Sequence, residues 1–154
     1  MHGGWDNRIE NNILVNGLFR QLSLSPIFSD INSTTLRNNI VKRNVIAYTQ
    51  KESTFIWCRP KRWYPEILKE CDYNVYWCFG DLDLESPDES PTPVGSMARW
   101  RELGFDANTI VADPRFTNPE NGDYTLRDDS PAYRLGFKRI PVEKIGLSGY
   151  RSET

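Results

Sequence analysis

The sequence predicts an all-β fold in which short parallel strands from successive segments stack on one another. An asparagine followed by Ile or Val recurs at Asn12, Asn44 and Asn74, spaced 32 and then 30 residues apart. Repeats of about 20–50 residues are typical of stacked architectures. Apolar residues also recur three before, one after and three after each asparagine. These three columns are Ile9, Val41 and Cys71; Ile13, Val45 and Val75; and Val15, Ala47 and Trp77.

Strand geometry explains the apolar columns, because alternate residues of a strand share a face. We therefore expect all three columns to point into the core. The asparagine column has its own physical reason. An Asn at an inward bend bonds backbone groups and tolerates the left-handed conformation, and stacked Asn side chains bond one another.

The first half of the chain holds two of the predicted strand segments and two excursions. The first coil covers residues 5–16, with strands at 8–11 and 13–15. Residues 17–35 have no clean apolar period, so we expect them to leave the stack. The second coil covers residues 36–49, which are rich in β-branched residues. Residues 51–70 form a second excursion with a short strand at 53–58, and Pro60 and Pro65 exclude a long helix.

The second half continues the pattern with a third coil at residues 72–78 and a loop at 79–95. Residues 96–103 predict the one short helix, with Ser96 as N-cap and Gly104 as a left-handed stop. Its apolar face would be Met97, Trp100 and Leu103. A fourth coil is expected at 110–112, with Asn108 in the asparagine column. A last strand at 124–126 and an outer tail at 140–147 end the chain.

Composition fits a single domain spanning residues 1–154. The 19 basic and 21 acidic residues give a net charge of −2, which argues against a nucleic-acid partner. No apolar run is long enough to cross a membrane. Cys58, Cys71 and Cys78 form no C-x-x-C pair, which argues against a zinc or redox motif. We expect free thiols, with a disulfide from Cys58 to Cys71 or Cys78 as the alternative in a secreted protein.

The end of the chain carries a resemblance to a known class of proteins. The runs WRELGFDANTIVADPRF (residues 100–116) and NPENGDYTLRDDSPAYRLGF (118–137) resemble the C-terminal end of β-helix carbohydrate-active proteins. The whole chain is similar to right-handed parallel β-helices of the pectate-lyase-like and glycoside-hydrolase-like kind. The resemblance implies about four coils, a C-terminal closing segment, a polysaccharide or oligosaccharide ligand, and an extracellular or periplasmic location.

The beginning of the chain lies inside the first coil. Residues 1–7 do not have the pattern of a signal peptide. Stacked proteins usually cap their terminal repeats, because the end of the core is otherwise open. We expect this chain to be the C-terminal part of a longer protein whose further coils precede it. Self-association over the open coil is the alternative.

The resemblance places ligands on the outer face of one sheet, which directs attention to the residues two before each asparagine. These are Glu10, Lys42 and Asp72. Neighbouring strands lie about 4.8 Å apart, so the backbones of Glu10 and Asp72 would be about 9.6 Å apart. Inverting glycosidases hold two carboxyl groups about 6.5–9.5 Å apart, and Lys42 would keep one ionised. The alternative is a surface ladder of alternating charge.

Two further groups of residues are candidates for sugar binding. Asp6 follows Gly3 and Gly4, where the backbone can approach a ligand closely, and is a third catalytic candidate. Trp5 offers a flat face for a sugar ring and His2 offers a hydrogen bond. An Asx turn at Asp6 is the alternative.

The second group lies in the second excursion. Trp57 and Trp63 would stack on sugars, and Arg59 and Arg62 would bind uronate carboxylates. Alternatively, these aromatic residues fold the loop onto the coil.

The sequence indicates no resident cofactor, with one alternative. Asp81, Asp83 and Glu85 alternate, as oxygen ligands of Ca²⁺ do, but the EF-hand spacing and its glycine are missing. A single His excludes a His-rich zinc site. We therefore predict a glycoside-hydrolase-like protein, complete or partial. A non-catalytic carbohydrate-binding or structural module and a polysaccharide lyase are the alternatives.

Overall fold

Short strands account for most of the regular structure. The computed structural model describes residues 1–26, 36–50, 53–59, 61–79 and 92–145. The strands of the first two segments are β1 Gly4–Trp5, β2 Arg8–Glu10, β3 Ile13–Val15, β4 Arg20–Leu24, β5 Leu36–Arg37, β6 Asn39–Lys42, β7 Val45–Tyr48 and β8 Thr54–Cys58. Those that follow are β9 Leu68–Asp72, β10 Val75–Cys78, β11 Ile110–Val111, β12 Phe116–Asn118 and β13 Asp123–Leu126.

The helices are few and short, as predicted. The α-helices are α1 Met97–Glu102 and α2 Pro131–Arg134, and 3-10 turns lie at Pro65–Ile67, Pro119–Asn121 and Val142–Lys144. Ser96 accepts a hydrogen bond from the Arg99 backbone and begins α1, while Gly104 takes a φ of 88° after it. Both ends of that helix are thus confirmed. Leu103 was wrongly placed on its buried face, since 42% of this residue is exposed.

Strands from successive segments pair in parallel. The four parallel sheets have the orders β1-β5, β2-β6-β9, β3-β7-β10-β11 and β4-β8, and β12 pairs with β13 antiparallel. Val45 lies opposite both Ile13 and Val75, which is the predicted alignment. Ile9, Val41 and Cys71 are likewise in register. The fold is therefore all-β with several parallel sheets, as the sequence predicted at this level.

A ladder of asparagine side chains joins the segments. Asn44 Oδ1 accepts hydrogen bonds from the backbone N and the Nδ2 of Asn12, at 3.0 and 3.1 Å. Asn74 Oδ1 accepts the same pair from Asn44, at 3.0 and 3.2 Å. The predicted ladder is confirmed for these three residues. Thr109 rather than Asn108 follows, because Asn74 N donates to Thr109 Oγ1.

The left-handed conformation falls on the residue before each ladder asparagine, not on the asparagine itself. The residues with this positive φ at the bends are Asp6, Asn11, Asn38, Arg43 and Tyr73. A second ladder, which the sequence analysis missed, joins Asn7 to Asn39: Asn39 Oδ1 accepts from Asn7 N at 3.1 Å and from Asn7 Nδ2 at 2.8 Å. One bend geometry thus recurs five times.

The apolar columns divide between two cores instead of sharing one. Val41, Cys71 and Tyr76 belong to a large cluster with Trp100 and Phe105. The columns that begin at Ile13 and Val15 lie on the β3-β7-β10 sheet, on the face opposite to Tyr76. They pack in a second cluster. That cluster contains Val45, Ala47, Val75, Phe116, Leu126, Ala132 and Phe137. The expectation that all three columns point into one core was wrong, because the chain bends at each asparagine.

The first predicted excursion is also corrected. Within residues 17–35, the strand β4 pairs in parallel with β8 from Leu22↔Ile56 to Leu24↔Cys58. Its side chains Leu22 and Leu24 are buried in the large cluster. Part of this segment therefore belongs to the stack, and the strand predicted at residues 53–58 is its neighbour.

Candidate functional site on the outer face of β2, β6 and β9

The row of charges predicted from the sequence exists on three adjacent strands. Glu10 lies opposite Lys42, and Lys42 lies opposite Asp72. Val41 and Cys71, one residue earlier in their strands, are buried in the large cluster. Strand alternation therefore directs the charged row away from that core.

Glu10 is held by arginine, not by Lys42. Glu10 Oε2 contacts Arg8 Nη2 and Glu10 Oε1 contacts Arg43 Nη1, each at 2.6 Å. The hydrogen bond from Arg8 is the largest influence that lowers the pKa of Glu10, and the bond from Arg43 and the charges of Arg8 and Lys42 act in the same direction. Glu10 is thus an ionised carboxylate at neutral pH, suited to act as a base or hydrogen-bond acceptor.

Lys42 uses its charge elsewhere. Its Nζ lies 3.1 and 3.0 Å from the two carboxylate oxygens of Glu70. Because the register shifts between Asn39 and Ile40, Glu70 lies opposite Ile40 and reaches Lys42 on the diagonal. Its charge nevertheless acts on Glu10, whose pKa it helps to lower.

Asp72 holds the chain that leads into β11. Its Oδ1 accepts from Asn108 N at 2.7 Å, and its Oδ2 accepts from Asn108 Nδ2 at 2.7 Å. Tyr73 N also donates to Oδ1, at 2.8 Å. Each residue of the row is therefore bound to side chains or backbone of the chain that lie outside the row.

The first residues hold one exposed aromatic residue, on the strand that precedes β2 in the chain. Trp5 is 62% exposed and lies opposite Arg37 in the β1-β5 pair. Asp6 is exposed, and its N donates to Arg37 O at 3.1 Å. With a φ of 56°, Asp6 occupies the bend position that Asn38 occupies in the next segment. Its backbone geometry is thereby explained without a ligand. His2 is exposed.

The residues predicted in the second excursion do not join this face. Trp57 lies on β8, in a different sheet, with the Arg20 guanidinium 3.8 Å from its ring centroid. Trp63 packs against Trp100, with ring centroids 5.1 Å apart, and fits the large cluster. This packing fits the alternative in which the aromatic residues fold the loop onto the coil, and the role of Trp63 as a sugar platform stays a prediction.

The two arginines of that excursion lie near β4 and β8. Arg62 Nη1 donates to Pro26 O at 2.9 Å. Arg59 is exposed, and its backbone N donates to Leu24 O at 3.2 Å. The structure therefore separates Arg59, Arg62, Trp57 and Trp63 from the row on β2, β6 and β9.

A buried carboxylate that the sequence analysis missed ends the asparagine ladder. Asp106 Oδ1 accepts from Thr109 Oγ1 at 2.5 Å and from Asn74 Nδ2 at 3.2 Å. Its Oδ2 accepts from Tyr76 and Trp100, each at 2.7 Å. Burial raises the pKa of Asp106, and these hydrogen bonds partly offset that effect. Asp106 is a structural residue. It lies 32 residues after Asn74, the same spacing that separates Asn12 from Asn44, so the repeat was the signal that could have found it.

A groove lies at the free edge of β3. Its volume is about 1160 Å³, and it is lined by residues 11–15 on one side and by the chain after β12 on the other. Ile140, Val142 and Ile145 form part of the second wall, with Val142 49% and Ile145 70% exposed. The predicted outer tail thus forms the wall of this groove opposite β3, as far as residue 145.

The residues that the structure describes include neither a metal-binding cluster nor a helix that could cross a membrane. Within them, no group of three or more His, Cys, Asp or Glu side chains is arranged to hold a metal ion. The calcium candidates Asp81, Asp83 and Glu85 lie outside the described residues. No helix in the described part of the chain has the length and apolar character needed to cross a membrane.

No protein-family model, curated protein or solved structure matches this chain. The resemblance to carbohydrate-active β-helix proteins therefore stays a prediction.

Proposed function

We propose that this chain forms a right-handed parallel β-helix of about four coils that binds a polysaccharide or oligosaccharide on the outer face of β2, β6 and β9. The parallel register between successive segments supports the architecture. So does the ladder of Asn12, Asn44 and Asn74 at one recurring bend. The resemblance of residues 100–137 to carbohydrate-active proteins supplies the class of ligand.

The register of Glu10, Lys42 and Asp72 is the observation that carries this proposal. It brings fixed charges from three segments onto one line, and Arg8 and Arg43 add donors beside it. Hydroxyl groups of a sugar need such donors and acceptors in a rigid array. A rigid array is also the condition under which binding costs least conformational entropy.

Binding without catalysis fits this face better than hydrolysis does. An inverting hydrolase needs one carboxyl group with a raised pKa as the acid and one ionised carboxylate as the base. Glu10 is suited only to the second role, since its pKa is lowered. In the hydrolase alternative, Glu10 is therefore the base and Asp72 the acid. In the lyase alternative, Lys42 is the base and must first leave Glu70.

The experiment is affinity electrophoresis through gels that contain neutral or uronate-rich polysaccharides. Retardation by at least one polysaccharide is expected, and Trp5→Ala should weaken it. The matched control is Phe19→Ala, which removes another exposed aromatic residue outside the proposed face. Equal retardation of both variants and the wild type removes Trp5 from the site. No retardation on any polysaccharide rejects the proposal.

Product assays separate the three alternatives. A binding module yields no new reducing ends. A hydrolase yields them, and Glu10→Gln and Asp72→Asn abolish their release while the circular dichroism stays unchanged. A lyase yields unsaturated products that absorb in the ultraviolet and depends on Lys42. Full hydrolytic activity in both carboxylate variants would exclude Glu10 and Asp72 as the pair.

A further inference from the structure

We infer that the free edge of β2 and β3 is a docking site for an extended polypeptide segment that adds in parallel and carries an asparagine at its bend. This inference is independent of the proposed carbohydrate ligand. It rests on the direction of the asparagine ladder, on the unfilled acceptor at its start and on the groove beside β3.

The ladder has a direction. Each asparagine donates its backbone N–H and its side-chain N–H to the Oδ1 of the asparagine in the next segment. Its second amide hydrogen goes to a backbone carbonyl, Glu10 O for Asn12 and Ile9 O for Asn44. Asn44 and Asn74 thus each receive two donors at Oδ1 from the segment before them.

The two ends of the ladder differ. At the far end Asp106 and Thr109 receive the donors of Asn74, and both are buried. At the near end no donor from the described residues reaches Asn12 Oδ1 or Asn7 Oδ1. The near end thus presents two acceptors in the arrangement that Asn39 and Asn44 present to the first segment. The two asparagines are five positions apart in each case.

The packing at the near end is incomplete as well. Ile9 and Leu14 are half-buried, whereas their partners Val41 and Ile46 are fully buried. Beside β3 the groove continues between residues 11–15 and the wall that includes Val142 and Ile145. A strand added next to β3 would fill this groove and cover those exposed apolar side chains. Edge strands with free backbone groups accept such additions.

A second copy of the chain is a different occupant, and the hydrogen-bond donors that it can offer to Asn12 Oδ1 distinguish it from a parallel segment. Two copies that meet edge to edge around a two-fold axis pair their strands antiparallel. In each copy both amide hydrogens of Asn12 are already donated, to Asn44 Oδ1 and Glu10 O. In a symmetric pair, Asn12 of one copy therefore has no amide hydrogen left for Asn12 Oδ1 of the other. A parallel segment with its own bend asparagine supplies both donors.

A segment of the chain itself can serve as the probe. Residues 36–50 pair in parallel with the following segment and donate from Asn44 to Asn74 Oδ1. A fluorescent synthetic peptide of residues 36–50 is titrated with the full chain, and anisotropy reports binding. Saturable binding is expected, and Asn44→Ala in the peptide should weaken it about tenfold, or about 1.4 kcal/mol. The control peptide carries Gln50→Ala, at an exposed position after β7.

Hydrogen exchange locates the bound peptide. Backbone amides of residues 8–15 should gain protection, and those of α1 should not change. Three results would overturn the inference. One is the absence of saturable binding below about 1 mM. Another is equal affinity of the wild-type and Asn44→Ala peptides. The third is a concentration-dependent dimer of the chain alone that protects the same amides, which would make a second copy the occupant.

Discussion

Asp106 Oδ2 accepts a hydrogen bond from the indole Nε1 of Trp100 at 2.7 Å, and both residues are inaccessible to solvent. The same carboxylate also accepts hydrogen bonds from Tyr76, Thr109 and Asn74. It therefore joins α1, β10 and the end of the asparagine ladder at one point. Removing such a group leaves several buried donors without an acceptor, which lowers the free energy of unfolding.

The raised pKa of Asp106 predicts a specific dependence of stability on pH. A folded-state pKa above the unfolded value means that the native state binds the proton more tightly. The contribution of Asp106 to the free energy of unfolding is therefore largest below the unfolded value of about 3.9. It falls as the pH rises through the folded pKa. Asp106→Asn should remove this dependence and destabilise the chain at every pH.

Urea unfolding at several pH values between about 4 and about 7 measures this effect. The wild type should gain stability over Asp106→Asn as the pH falls. The control is Asp123→Asn, because hydrogen bonds from Thr125 lower the pKa of Asp123 and reverse the sign. A difference between wild type and Asp106→Asn that is constant with pH would contradict the prediction.

The asparagine ladder predicts a large effect for a small polar substitution. Asn44→Ala removes a buried side chain that accepts two hydrogen bonds and donates two. Each buried partner left unpaired costs about 1–3 kcal/mol. We expect a loss of about 3 kcal/mol in the free energy of unfolding, measured with urea. The exposed Asn121→Ala should stay within about 0.5 kcal/mol, and equal effects of the two would refute a structural role for the ladder.

The register of the central strands was predictable because it depends on short-range chemistry. Each ladder asparagine bonds backbone groups at its own bend. The distance in sequence between successive asparagines is therefore the length of one repeat. The second ladder escaped notice because it has only two members: Asn39 Nδ2 donates to Ile67 O, and no asparagine follows there. β4 and β8 share no such motif, so no repeated residue in the sequence predicts that they pair.

The candidate site was predictable as a row of residues but not as a set of contacts. Strand alternation fixes that Glu10, Lys42 and Asp72 point the same way. The partners of these side chains depend on diagonal neighbours and on one register shift, which placed Glu70 beside Lys42. Asp106 lies 32 residues after Asn74, which matches the spacing from Asn12 to Asn44, but it is not an asparagine, and only the folded structure shows that the two side chains bond.

Burial predicts that the three thiols react slowly in the native state. Cys58, Cys71 and Cys78 are all free and buried. Burial raises the pKa of Cys58 to about 11 and that of Cys71 well above its usual value. Since the thiolate is the reactive form, a disulfide-exchange reagent at about pH 8 should label the native chain slowly and the urea-unfolded chain at once. Rapid labelling of all three native thiols would contradict this packing.

The position of Trp63 predicts that its loss affects stability before it affects any ligand. Its ring contacts Trp100 and meets Phe105 edge-on, with centroids 6.1 Å apart. Trp63 is half-buried, so Trp63→Ala should cost about 2 kcal/mol, less than the about 3–5 kcal/mol of a fully buried aromatic residue. Trp5→Ala, at an exposed position, is the matched variant and should leave the unfolding midpoint nearly unchanged. If Trp63→Ala kept wild-type stability and lost polysaccharide retardation, Trp63 would be a sugar platform after all.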